Sequence, residues 1–173
     1  MIAALTGLAS PVLLAQPVAS APELLPSGRP VGQARLRIWG LDIYDASLWV
    51  APGFRRQDFT GHGFVLQLHY LRSFTGADIA RRSLDEMRRA GGFSEVQAAS
   101  WQAELARLLP DVRAGDRLTG VNRPGRGPAL MLNERPLGEL GDTQFARLFF
   151  GIWLGPQTSE PALRQALLAG TPP

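Results

Sequence analysis

Arg35, Arg37 and Tyr44 are the residues here with the clearest potential for joint chemistry. They fall in two stretches that alternate like neighbouring strands. A buried tyrosine hydroxyl needs a hydrogen-bond partner, and a guanidinium fork matches a carboxylate. Beneath a helical layer, such an arginine and tyrosine can hold the head group of a fatty acid. The same residues also suit a plainer arrangement, with Tyr44 an ordinary core tyrosine and both arginines facing solvent.

Other polar residues are less specific. Arg81, Arg82, Asp85, Glu86, Arg88 and Arg89 stud one helical stretch. The spacings Arg81–Asp85, Arg82–Glu86 and Asp85–Arg89 allow i,i+4 ion pairs. This reads as a solvated, salt-laced helix face, with an anion clamp as the alternative. His62 lies in a glycine-flanked loop and His69 on a strand face. A metal site would need Asp or Glu partners as well, and a surface histidine and a strand-face histidine are the simpler reading, so no metal is expected. The chain has no cysteine, which excludes disulfides, thiolate nucleophiles and cysteine-based metal sites. There is no GxSxG, HExxH, Walker-type or GxGxxG motif, so no catalytic residue and no cofactor are assigned.

The 173 residues suffice for one domain with a core. Hydrophobic residues make up 45% and charged residues 19%, an ordinary globular balance. All eighteen basic residues are arginine, and the net charge is only +3. The pI of about 10.5 therefore reflects the high pKa of arginine, not a dense positive field. Acidic residues are interspersed and no long basic run exists. Composition thus gives no sign of a nucleic-acid partner.

Residues 1–22 carry no charge and are rich in Ala, Leu and Val. With small residues at Ala19, Ser20 and Ala21, they read as a secretory signal peptide over 1–21. The first arginine is Arg29, so the usual basic start is missing, and Pro22 is a poor residue after a cut. The run is too short and too broken by Pro and Gly to span a bilayer, so the mature chain has no stable membrane span. The expectation is a periplasmic or secreted protein with one domain over 22–173.

The elements that must position the polar residues follow from periodicity. Ala34–Trp39, Leu41–Val50 and Gly63–Leu71 alternate as strands. Thr75 to Asp78 has capping-box form and opens a helix that Gly91-Gly92 ends. Ser94 to Gln97 opens a second helix, with Ala98, Trp101, Leu105 and Leu108 as its stripe and Pro110 as its stop. A hairpin spans Asp116–Val121 and Ala129–Asn133. After a turn near Gly138, Asp142–Trp153 reads as a helix with the stripe Phe145, Leu148, Phe149 and Ile152. A short helix begins at Ser159–Pro161. Strands, two helices, a hairpin and two helices make an α+β fold: an antiparallel sheet with helices gathered on one face.

In order and spacing, these segments resemble the chalcone isomerase-like family and its bacterial, exported branch. The resemblance rests on Gly40–Val50, on Phe64–Gly76 running into the helix with Ser83 and Glu86-Met87, on Gly115–Leu118, and on Phe145–Leu154. It covers about residues 28–170. It implies an open-faced β-sandwich, a curved sheet with helices on one side and a ligand cleft between. Matching the family's Thr-Gly to Thr75-Gly76 puts the isomerase's catalytic tyrosine at Ile79 and its active-site asparagine at Glu86. Its second-strand threonine falls at Tyr44, its late Ser or Thr near Asp142, and its arginine nearest Arg35, with Arg37 as the alternative. Ile79 cannot donate a hydrogen bond to a developing oxyanion, and Glu86 would repel a phenolate. The fatty-acid-binding branch instead grips a carboxylate with an arginine and a tyrosine on this strand pair. The resemblance therefore implies non-catalytic binding of a fatty acid or another small amphipathic carboxylate. Arg35, Tyr44, Ile79 and Glu86 would lie at the site, and Leu48, Leu66, Leu68, Leu84 and Met87 would line the tail. A divergent isomerase and a non-catalytic envelope interaction protein are the alternatives.

Overall fold

Apolar alternation along the first half of the chain builds three long strands that pair in sequence order. The computed structural model describes residues 21–172. The leader expected over 1–21 falls almost wholly outside the described residues.

The sheet runs β1 (Arg29–Ile38), β2 (Leu41–Val50), β3 (Phe64–Tyr70), β4 (Arg117–Asn122), β5 (Ala129–Leu132) and β6 (Arg135–Glu139). Every neighbour is antiparallel, and the spatial order is the sequence order. The helices are α1 (Ala21–Leu24), α2 (Gly76–Ala90), α3 (Glu95–Leu108), α4 (Thr143–Leu154) and α5 (Pro161–Leu167), with a short 3-10 segment at Arg56–Gly61. The expected α+β architecture, with its open curved sheet and helical cover, is the one observed.

The helix starts obey their capping residues. Thr75 Oγ1 accepts from the Asp78 amide at 3.1 Å, and its hydroxyl donates to the Asp78 carboxylate at 2.7 Å. Ser94 and Gln97 form the full reciprocal box. Asp142 accepts from the Phe145 amide at 2.8 Å and so caps α4.

Two elements differ from expectation. β1 begins at Arg29 rather than Ala34, because Pro30 and Gly32 break the apolar signal while a bulge lets the strand continue. β6 occupies the stretch read as a turn near Gly138; Pro136, Gly138 and few apolar side chains hide an edge strand.

One sheet face carries Tyr44, Ala46, Leu48 and Val50 beside Phe64, Leu66, Leu68 and Tyr70, all buried. Phe145, Leu148, Phe149 and Phe150 of α4 pack into the same core, with Phe150 edge-on to Phe64 at 4.7 Å. Gly120 on β4 makes room for that ring, since a Cβ there would lie 2.9 Å from it. The other face is more open. At its centre Val65 and Val121 are buried beneath Leu24, Leu25, Trp49 and Ala129.

Candidate functional site

The register between β1 and β2 decides where the arginines point. Leu36 pairs with Tyr44 and Arg35 with Asp45. Because strand side chains alternate, Tyr44 faces the helices and Arg35 faces away. Arg37 follows Leu36 in the alternation and so lies on the outer face too, where an extra residue in β2, Ile43, brings Asp42 opposite it. The expected grip of Arg35 and Tyr44 on one carboxylate is therefore not formed, and Arg37 does not replace Arg35.

Arg35 is already engaged outside. Its Nε and Nη2 hold both oxygens of Asp45 at 2.6 and 2.8 Å, and its Nη1 reaches Asp42 at 2.8 Å. Arg37 Nε holds the other Asp42 oxygen at 2.6 Å. The hydrogen bond from Arg35 is the main cause that holds Asp45 below the ordinary carboxylate range, and Arg37 does the same for Asp42. The same pairing to Asp45 raises the Arg35 guanidinium further. These are charge-assisted bonds in an exposed network, bidentate between Arg35 and Asp45 and single to Asp42.

Tyr44 is 9% exposed, and its hydroxyl accepts from Trp153 Nε1 of α4 at 2.9 Å. Burial pushes the Tyr44 hydroxyl well up; the charges of Glu160 and Glu86 add to this, while the Trp153 bond and Arg82 oppose it. Tyr70 stacks edge-on against Tyr44 at 5.8 Å and meets Phe74 at 5.8 Å. Burial raises the Tyr70 hydroxyl as well. A patch of polar atoms thus sits in an apolar layer between β2, β3 and α4.

Glu86 lies on the inward side of α2 and is 6% exposed. Arg82 Nη2 approaches Oε1 at 2.7 Å, and Arg89 Nε lies 3.6 Å from Oε2. The Arg82 contact is poorly aligned, so Oε1 is buried yet receives no hydrogen bond. The expected Arg82–Glu86 pair therefore forms, but Arg81 pairs with Asp78 at 2.6 Å rather than with Asp85. Ile79 is half-buried and packs against the core. Asp142 serves as the α4 cap.

The tail-lining candidates Leu48, Leu66, Leu68, Leu84 and Met87 are all buried in one core cluster. Leu48 and Met87 are completely enclosed. The interior between sheet and helices is filled by the chain's own side chains. The wide groove described lies outside, along Arg35, Arg37, Gly40, Leu41, Asp42, Leu71 and Arg72.

Trp153 is the site residue that sequence reasoning missed. The α4 stripe ended on Ile152, but Trp153 is buried and Ile152 only half so. A signal was available: a buried indole N–H needs an acceptor, and Tyr44 needed a partner.

Sheet, cover and buried polar patch define an open-faced β-sandwich with its polar groups between the layers. The fold is similar to that of a fatty-acid binding protein of Arabidopsis thaliana, with a TM-score of 0.63 over 83% of this chain and 88% of that one. Identity is 11%, so this likeness speaks for the fold alone. The chalcone isomerase-like family model matches residues 32–169, and the chain belongs to that family. An uncharacterized protein of Haemophilus influenzae is 26% identical over 144 residues, covering 83% of this chain and 69% of the relative. Among the described residues no His, Asp or Glu group could hold a metal ion, and no helix is long and apolar enough to cross a membrane.

Proposed function

We propose that this chain is a non-catalytic binder of one small, fatty-acid-like amphipathic molecule, taken between the sheet and α2 and α4. The observation that carries the reading is the buried Glu86 Oε1 without an aligned donor, close enough to act electrostatically on Tyr44. Arg82 lies 2.7 Å from this oxygen but is misaligned, so a better-placed donor can still be accepted there. Tyr44 accepts from Trp153, which leaves its own O–H to give. The matching head group carries an acceptor for Tyr44 and a donor for Glu86. A carboxylic acid in its neutral form has both, as does an alcohol or amide. An ionised carboxylate beside Glu86 would be repelled. Arg35 has no part in this site, and room for the tail comes from displacing Leu84 and Met87. The fatty-acid-binding role of the Arabidopsis protein with this fold fits the reading.

The test is a fatty-acid displacement titration with native mass spectrometry of the purified protein. One bound acid is expected, with affinity falling as pH rises through the ligand's own pKa. Tyr44→Phe should weaken binding about tenfold, the loss of one hydrogen bond. No bound amphiphile and no displacement would sink the reading. Chalcone turnover is expected to stay at background, since Ile79 and Glu86 supply no oxyanion donors.

The filled interior favours one second reading, a non-catalytic interaction protein of the cell envelope. Absence of any bound amphiphile would point there. Export is part of the proposal, supported by the uncharged, apolar residues 1–22. Fractionation that leaves the protein in the cytoplasm would remove it.

A further inference from the structure

The β1–β2 hairpin turns through Trp39 and Gly40, with φ of 49° and 80°. Positive φ at both central residues is the two-residue hairpin turn that favours Asn-Gly or Gly-Gly. Tryptophan gains nothing from this conformation, and here it also packs against nothing. Trp39 is 96% exposed, the extreme among the large apolar residues described, and Leu41 beside it is 47% exposed. A bulky aromatic held in a strained, solvent-exposed position calls for a contact outside the molecule.

The surroundings of the tip give that contact its chemistry. A groove behind it is lined by Arg35, Arg37, Leu41, Asp42 and Arg72. Asp42 is shared by Arg35 and Arg37, and Asp45 is taken by Arg35. Arg72 is exposed and forms no ion pair among the described residues. Three guanidiniums face two carboxylates, so the tip carries a positive balance. An apex of tryptophan and leucine with arginines set back along the strands is convex. A convex apex of this kind has no pocket walls to enclose a partner's side chain. It suits a bilayer, where tryptophan settles at the headgroup level and arginine meets phosphate.

We propose that the Trp39 hairpin tip is a docking point for an anionic phospholipid surface. Trp39 and Leu41 enter the headgroup layer, and Arg37 and Arg72 meet lipid phosphates. The full chain would be mixed with phosphatidylcholine vesicles containing a minority of phosphatidylglycerol, doped with brominated phosphatidylcholine. Residues 1–20 contain no tryptophan, Trp101 and Trp153 are buried and Trp49 is half-buried on the outer sheet face, so the part of the quenching that Trp39→Ser removes reports the tip rather than the apolar N-terminal run. Quenching is expected, and Trp39→Ser should abolish most of it. Arg72→Ser should lower vesicle affinity about fivefold, the share of one arginine near an anionic surface. Raised salt should weaken binding in the same direction. Trp39 is exposed, so its replacement leaves the core intact. The proposal is overturned by absent quenching, by quenching that survives Trp39→Ser, or by equal binding to pure phosphatidylcholine. Shielding of Trp39 by a second copy of the chain, seen as concentration-dependent association without vesicles, would also overturn it.

Discussion

At the scale of single residues, the Tyr44–Trp153 bond joins sheet to helices inside the core. Tyr44→Phe leaves the indole N–H buried without an acceptor. Its stability loss in urea titration should be about 1–3 kcal/mol, the penalty for an unsatisfied buried donor. Glu86 should behave in the opposite way. Its carboxylate is desolvated and poorly served by Arg82, so Glu86→Met is expected to be neutral or stabilising by about 1 kcal/mol. A large loss from Glu86→Met would show that the carboxylate holds α2 in place rather than waiting for a ligand. Tyr44 was legible in the sequence as a buried tyrosine wanting a partner. Its partner was not, because Trp153 and Ile152 are one residue apart and a helical stripe resolves faces only to about that width.

Among the elements, the β1–β2 hairpin shows how alternation alone leaves two answers. The pattern of Arg35, Leu36 and Arg37 fixes that leucine and arginines take opposite faces, but not which face meets the helices. Tyr44 settles it, since its in-register partner is Leu36. The bulge beside Leu36 could not be read from residue types, yet it is what brings Asp42, and not Ile43, opposite Arg37. The Arg35–Asp45–Asp42–Arg37 network gives the hairpin a pH signature. Both carboxylates bind protons less readily folded than unfolded. Their contribution is therefore present above the unfolded carboxylate value of about 3.9 and is lost as pH falls through their lower folded values. Asp45→Asn should be less stable than the parent at neutral pH, with the two converging as the solution is acidified. High salt should narrow the gap, because the pairs are exposed. A gap that persists unchanged in strong acid would show that Asp45 acts through shape and not charge.

Across the whole molecule, the order of strands and helices was readable because caps, stripes and breakers agree. Thr75, Ser94, Pro110 and Asp142 all mark real boundaries. What lacked such markers was missed: β6, with Pro136 and Gly138, and the early part of β1 around Gly32. Gly32 also lets α5 lie directly on β1. A Cβ there would fall 2.2 Å from the Leu167 carbonyl oxygen and 2.3 Å from that of Ala166. Gly32→Ala should cost about 2 kcal/mol, since rigid backbone must move, and hydrogen exchange should rise across α5. Unchanged stability would mean that α5 slides freely over the strand.

That closeness of the C-terminus has a consequence for self-association. Beyond α5, the Gly170 amide bonds to the Val31 carbonyl at 2.8 Å, and Arg29 Nη2 reaches the Gly170 carbonyl at 3.1 Å. The outer rim of β1 is thus occupied along its first half by the chain's own tail. At the far rim, Pro136 removes a donor from β6, and the bulge between Leu130 and Met131 disturbs the pairing. A sheet that is open to solvent on one face is in this way blunted at both rims, over the first half of β1 and along β6, which shortens the straight row of free amides on which a neighbouring molecule could add a strand.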